Sequence, residues 1–234
     1  MSGASATLHV LRVFCADDGS GGNPLGVFLD GAAVAEGTRQ EIARDLGFSE
    51  TVFVDDVARA ELRIFTPEVE LPLAGHPLVG TAWLLREHGT PAQTLRPPAG
   101  EVAVRFDDAL TFIAADPDWC PPVEFVQVQS PRQVNELQEA PAGYGEVGVW
   151  AWLDQEAGVV RERVFVPELG IGEDEATGAA ALRLVAELGR PIEIHQGAGS
   201  LIRARPLDAG LAEVGGRVVL DERREHLLPY AEPS

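Results

Sequence analysis

The sequence predicts an α+β fold made of two similar halves that face a shared cleft. Three observations carry this reading. Strands and apolar helices alternate along the chain, a strand–turn–helix stretch recurs after 100 residues, and a proline-rich segment separates the two copies.

Residues 7–14 alternate polar and apolar side chains, as a half-buried strand does. A Gly/Asp-rich loop at 16–23 leads to a second strand at 24–29. Residues 36–46 place Ile42, Ala43 and Leu46 at helical spacing, and Gly47 stops that helix. Phe48-Ser49-Glu50-Thr51 then enters a strand at 52–54, and 59–65 supplies another. Residues 76–88 form an apolar helix ended by Gly89, with strands at 101–106 and 110–114 after it. The second half reads as a strand (123–129), a helix (131–140), strands at 146–153 and 160–166, and an apolar helix (178–188) ended by Gly189. Short strands at 192–195, 201–205 and 217–220 follow, and the polar tail from Arg223 is expected to fray.

Laying 64–89 over 164–189 without a gap makes 6 of 26 positions identical: Phe65/Phe165, Pro67/Pro167, Glu68/Glu168, Leu84/Leu184, Glu87/Glu187 and Gly89/Gly189. In both stretches a strand ending in Phe-x-Pro leads into an Ala/Leu/Val helix closed by glycine, which reads as an internal duplication. Both helices are apolar on nearly all sides, so each is expected to be wrapped by strands of its own half. Three prolines among Ala115-Asp116-Pro117-Asp118-Trp119-Cys120-Pro121-Pro122 break ladders and helices alike. The boundary therefore falls there, giving domains 1–115 and 116–234.

The 234 residues carry a net charge of −19, from 18 Lys plus Arg against 37 Asp plus Glu. That surplus repels phosphate backbones and anionic membranes, so neither nucleic acid nor a membrane is expected as a partner. No run approaches the ~20 apolar residues of a membrane span. The first residues have neither a basic start nor an apolar run, so a cytoplasmic protein is expected. Cys15 and Cys120 are too few for a metal cluster, and the five histidines show no HxH or HExxH spacing. No metal, no cofactor and no glycine-rich phosphate loop are expected.

Candidate chemistry gathers at the starts of the two apolar helices. Gly75-His76-Pro77 and Ala176-Thr177-Gly178-Ala179 are small enough for a ligand to approach free backbone amides. Two such ends facing one another would hold a carboxylate or an enolate oxygen. The same residue types also cap helices with no ligand at all. Glu50 sits between Phe48 and the apolar run Val52-Phe53-Val54. A carboxyl in such company is pushed toward a proton affinity useful at neutral pH. Asp174, in Gly172-Glu173-Asp174-Glu175, reads either as a helix cap or as one of three carboxylates in a solvated run. His76 could donate to a substrate oxygen or serve as a structural histidine.

Taken together, the ordered strings Gly22-Asn23-Pro24, Ser49-Glu50-Thr51, Phe65-Thr66-Pro67, Gly75-His76 and Glu173-Asp174-x-Ala176-Thr177-Gly178 resemble the PhzF-like phenazine-biosynthesis isomerase family, which shares the diaminopimelate-epimerase fold. Gln196-Gly197 with Arg203 adds a weaker match. The resemblance implies two pseudo-symmetric domains, each a barrel-like, mostly antiparallel sheet around a central helix, without cofactor or metal. It places the catalytic roles on Glu50, His76 and Asp174, and substrate contacts at Asn23, Ser49, Gly75, Thr177, Gly178 and Ala179. The related two-thiol racemases carry cysteines where this chain has Gly75-His76 and Thr177-Gly178, so that chemistry is excluded. Three departures stand out: Glu175 for the family's proline, Ala179 for its serine, and a second half that is shorter near its start. The expected function is proton transfer on a small carboxylate-bearing metabolite, in a homodimer. The rival is a ligand-binding or regulatory protein on the same fold.

Overall fold

Two glycine-closed helices and the strands wound about them account for most of the chain. The computed structural model describes residues 4–167 and 171–229. Glu168, one of the six repeat identities, lies outside them, as do Met1-Ser2-Gly3 and residues 230–234.

The first run of elements comprises β1 (Ser5–Cys15), β2 (Asn23–Phe28), α1 (Glu36–Leu46), β3 (Glu50–Asp56), β4 (Glu61–Phe65), β5 (Glu70–Leu71), α2 (Gly75–Glu87), β6 (Thr94–Leu95), β7 (Val102–Asp107) and β8 (Leu110–Ala115). The second comprises β9 (Glu124–Gln127), α3 (Pro131–Glu136), β10 (Val147–Asp154), β11 (Val159–Val166), β12 (Ile171–Asp174), α4 (Gly178–Leu188), β13 (Ile192–Gln196), β14 (Ser200–Pro206) and β15 (Ala212–Leu227). Their pairings repeat. β2 runs parallel to β3 across α1, as β9 does to β10 across α3. Each second strand then pairs antiparallel with the next, in the same register: Thr51 faces Phe65 as Val147 faces Phe165.

Around α2 the ladders close a ring. β1, β2, β3 and β4 pair in turn, and a bridge from Glu61 to Arg96 reaches the β6 end. From there β6, β7, β8 and β15 lead back to β1. Around α4 the circuit β9–β10–β11–β13–β14–β15 stays open at β9. That open side lies at the start of the second half, where the sequence places its shortfall. Only an enclosed helix can be apolar all round. Accordingly α2 packs against β1, β2, β3, β8 and β15, and α4 against β14 and β15; β15 of the second half thus serves both helices, and α2 is not wrapped by strands of its own half alone. Leu78, Leu84 and Leu85 of α2 and Leu182 and Leu184 of α4 are fully buried, each contributing about 2 kcal/mol of apolar transfer.

Three further expectations change. The ungapped repeat conceals two compensating shifts: α2 has 13 residues and α4 has 11, although both are followed by a positive-φ glycine, Gly89 and Gly189. The helix expected over 131–140 stops at Glu136, because Leu137 is already extended (φ −59, ψ 130). The tail does not fray at Arg223. β15 continues to Leu227, paired with β1 down to Ser5, and Ser5 and Thr7 hydroxyls donate to Glu225. Its charged run Asp221–Glu225 is exposed on both faces, so no apolar alternation announced a strand there.

One core position sets a carboxyl in the second copy where the first is apolar. Leu62 faces Val54 in the first; in the second Glu162 faces Trp150, fully buried and with neither carboxylate oxygen hydrogen-bonded. Burial pushes its carboxyl up to about 8, with Arg161 pulling weakly the other way. The folded state thus keeps a proton that the unfolded chain releases as pH rises from 4.5 toward about 8. Stability drains away over that window and is level above it. Glu162→Leu should therefore raise the melting temperature. Its advantage should grow by about 1 kcal/mol per pH unit across the window and then plateau. Thermal unfolding of both proteins over a pH series measures this.

Candidate active site

α1 ends at Gly47, whose left-handed backbone (φ 67) turns the chain so that Phe48 and Ser49 lead straight into β3. Glu50 is the first residue of that strand. Its parallel register opposite Leu25 sets it beside the β2 start, where Asn23 and Pro24 lie. His76 enters from the first turn of α2, with its side chain 3% exposed against 12% for Glu50. His76 Nε2 and Glu50 Oε2 lie 3.3 Å apart, and each lacks a hydrogen-bond partner of its own.

The proton affinities follow from these surroundings. Burial raises the Glu50 carboxyl to about 8, Asp174 adds to the shift, and the neighbouring Ser49 hydroxyl opposes it. Burial likewise lowers His76 to about 3 despite a hydrogen bond to the Pro24 carbonyl. At neutral pH Glu50 is thus mostly a neutral acid and His76 a neutral ring. Because Nε2 is the unpartnered ring nitrogen, the proton sits on Nδ1, toward Pro24, and the Nε2 lone pair faces Glu50.

Asp174 is not part of a solvated run. It is 7% exposed, and each of its oxygens accepts a hydrogen bond: Oδ1 from Asn23 Nδ2 (2.7 Å) and Oδ2 from Thr177 Oγ1 (2.7 Å). Burial raises its carboxyl, and these two donors pull it back toward the ionised form. Of the two buried acids, Glu50 therefore keeps the proton and Asp174 carries the charge. Glu173 pairs with Arg163, and Glu175 accepts from Ala198 N and Ser200 Oγ.

Asn23 and Thr177 turn their side chains inward. Asn23 accepts from Ser49 Oγ (3.0 Å) and also donates to the Ala176 carbonyl (3.0 Å), so it ties the β3 entry to the α4 entry. Thr177 Oγ1 is held between Asp174 and Gln196 Nε2, and its N–H donates to Gln196 Oε1. Gln196 also donates to the Asp174 carbonyl. Its place in this network, and that of Ser200, which accepts from Gly22 N, were not legible in sequence. A polar residue ending a strand gives no sign that it is buried.

The two helix starts meet backbone to backbone. A Cβ built on Gly75 would lie 2.7 Å from the Gly178 carbonyl carbon, and one on Gly178 would lie 2.9 Å from Gly75 Cα. The first turns of α2 and α4 begin with Leu78 N bonded to the Ala74 carbonyl and Ala181 N to that of Thr177. The N–H groups of Gly75, His76, Gly178 and Ala179 therefore have no acceptor within their helices. Both dipoles favour negative charge between the two starts, and His76, in the first turn of α2, lies 3.3 Å from Glu50. A cleft of ≈ 360 Å³ lies next to Asp174 and Ser49, lined by Asn23, Pro24, Gly47, Phe48, Ser49 and Pro67 on one side and Glu173, Asp174 and Glu175 on the other; Glu50, His76 and the helix-start glycines are not in its lining. Among the described residues no group of three or more His, Cys, Asp and Glu side chains could hold a metal.

Known proteins resemble this chain in sequence and fold. The family profile described as "Phenazine biosynthesis-like protein" matches residues 11–117. The trans-2,3-dihydro-3-hydroxyanthranilate isomerase of Pseudomonas fluorescens is 30% identical over 223 residues, covering 75% of this chain and 80% of that one. A Pasteurella multocida protein named an uncharacterised isomerase is 45% identical over 83 residues, 34% of this chain and 28% of its own length. A PhzF-family crystal structure from Enterococcus faecalis has the same fold, with TM-score 0.79, 23% identity and coverage of 96% of this chain and all of that one.

The glycine contact generates a test. The atoms that a new Cβ would meet are backbone atoms and cannot rotate away. Gly75→Ala and Gly178→Ala should each lose about 1–3 kcal/mol. Both relieve or strain one shared gap, so the double variant should lose clearly less than the sum. Denaturant unfolding of the four proteins gives the coupling.

Proposed function

The chain belongs to the phenazine-biosynthesis-like (PhzF) isomerase family, and on that premise we propose a cofactor-independent isomerase in which Glu50 moves a proton on a small carboxylate-bearing metabolite. The observation that carries this reading is Glu50 itself: a carboxyl lifted to about 8, beside a bare imidazole nitrogen and two converging helix starts.

On this proposal residues 1–115 and 116–234 act as two lobes, each supplying one helix start. The amides of Gly75, His76, Gly178 and Ala179 bind the substrate carboxylate and the enolate-like oxygen that forms when a neighbouring carbon loses its proton. Such preorganised donors act most strongly in a dry site, where charge develops in the transition state. Glu50 in its ionised form takes the proton and, once neutral, returns it to another carbon. His76 stays neutral; its Nε2 lone pair accepts a hydrogen bond from protonated Glu50 or from a substrate hydroxyl. Asp174, held ionised by Asn23 and Thr177, keeps the proton on Glu50 and faces the cleft as an acceptor. Every step uses groups the chain itself supplies. The cytoplasm suits it, since Cys15 and Cys120 are buried free thiols. Among the described residues no helix is long and apolar enough to cross a membrane.

Glu50→Gln keeps the side chain's shape but cannot titrate. Solvent-deuterium incorporation into a turned-over carboxylic acid should slow by about 10²-fold or more. The melting temperature should hold or rise, because a buried ionisable group is removed. Unchanged exchange would remove Glu50 from the mechanism, and a chain with no exchange on any carboxylate it binds would be a binding protein.

The wild type makes a second statement. The base form of Glu50 is the minority form below its raised value and fills in as pH climbs, so exchange should rise with pH, reach half its maximum at about 8 and level off above that. A profile already flat at pH 5–6 would show that another group is the base.

A further inference from the structure

His9 and His88 lie well outside the Glu50 site and the proposed reaction does not use them. His9 is on β1, 3% exposed, and His88 follows the last turn of α2 at the surface. Their Nε2 atoms are 3.3 Å apart, and the rings meet edge to face at 86°. His9 Nδ1 lies 3.4 Å from the carbonyl of Val27, its partner on β2. Donation to that carbonyl puts the proton on Nδ1 and turns the Nε2 lone pair toward His88. Metal-binding histidines are held in this way, with the remote nitrogen donating to a carbonyl or carboxylate. The pair lines a cavity of ≈ 270 Å³ together with Thr7, Asp30, Thr90 and Arg223.

The separation discriminates among ions. Two nitrogens at about 2.0–2.1 Å from a metal span about 3.3–3.4 Å at a tetrahedral angle, but only about 2.8–3.0 Å at the right angle of a square-planar or octahedral centre. We propose that His9 and His88 bind Zn²⁺ through their Nε2 atoms, as two protein ligands of a tetrahedral ion whose remaining positions face the cavity. Asp30 makes no capping hydrogen bond and brings a negative charge to the cavity wall. Arg223 stands opposite His9 in the β1–β15 ladder and works against a dication. The bound ion would fasten β1 to the end of α2, the helix whose other end carries His76.

Calorimetric titration of the chelator-treated chain with Zn²⁺ tests this. Saturable binding of one ion per chain is expected, with a higher melting temperature at saturation, as for any ligand that binds only the folded state. Co²⁺ in place of Zn²⁺ should give the intense visible bands of a tetrahedral centre. His88→Ala, at an exposed helix end, should fold normally, keep its isomerase turnover and lose the binding. Arg223→Gln should tighten it. No saturable binding by the wild type, binding that survives His88→Ala, or an affinity indifferent to Arg223→Gln would each overturn the assignment.

Discussion

The contact between Gly75 and Gly178 is the constraint on which the rest of the site depends. Two helices whose starts meet backbone to backbone must both begin with a residue lacking Cβ, since any side chain would enter the opposite main chain. The contact brings two positive dipole ends together, an arrangement that repels itself and is relieved by an anion lying between them. Because α2 is enclosed by its own ring of strands, and α4 packed against β14 and β15, neither helix can back away. The converging amides are therefore built into the fold before any substrate arrives. Asn23 reinforces the same junction by linking Ser49, at the β3 entry, to Asp174 and Ala176 at the α4 entry.

That junction also settles where the proton resides. Two carboxyls buried close together cannot both ionise easily. Asp174 has two donors, whereas the Ser49 hydroxyl beside Glu50 is given to Asn23, so the charge goes to Asp174 and the proton to Glu50. His76 could have competed for that proton had its ring been solvated. Burial and the Pro24 carbonyl hold it neutral, with a fixed tautomer. The polar network is thus asymmetric in satisfaction: Asp174, Asn23, Thr177 and Gln196 are fully bonded, whereas Glu50 Oε2 and His76 Nε2 are not. Unsatisfied buried groups cost stability. Here they lie beside the free amides and the cleft.

The helices and their glycine stops were legible in sequence because both signals are local. Residues 36–46 and 178–188 are helical as the apolar spacing and Gly47 and Gly189 indicate. The 100-residue recurrence also foretold two alike helices, yet it misplaced their starts by three residues, since Gly75 faces Gly178 rather than Glu175. Compensating length changes are invisible to an ungapped comparison. Glu50 could be singled out from its apolar neighbours, whereas the burial of Asp174 could not. Its carboxylate is held by Asn23 from 151 residues away and its backbone carbonyl by Gln196 beyond α4, and no local pattern carries such contacts. The β15 extension was lost for the opposite reason. Its ladder to β1 is held by backbone bonds and surface pairs such as Arg12–Asp221, which leave no hydrophobic period behind.

The duplication explains why the chemistry is one-sided. Two copies of one unit would present equivalent groups at both helix starts, and a symmetric pair could serve as acid and base on opposite faces of a substrate. This chain has diverged from that symmetry. The first copy supplies Glu50 and His76, and the second supplies Asp174, whose two donors offset part of the burial that raises its carboxyl. Of these groups Glu50 is raised furthest, to about 8, against about 6 for Asp174, and His76 is lowered to about 3. On the proposed mechanism the carbon that loses a proton and the carbon that gains one must then both come within reach of Glu50. The expected reaction moves hydrogen along one face of the substrate instead of inverting a centre. The backbone amides, which both copies retain, hold the anion in place while it does so.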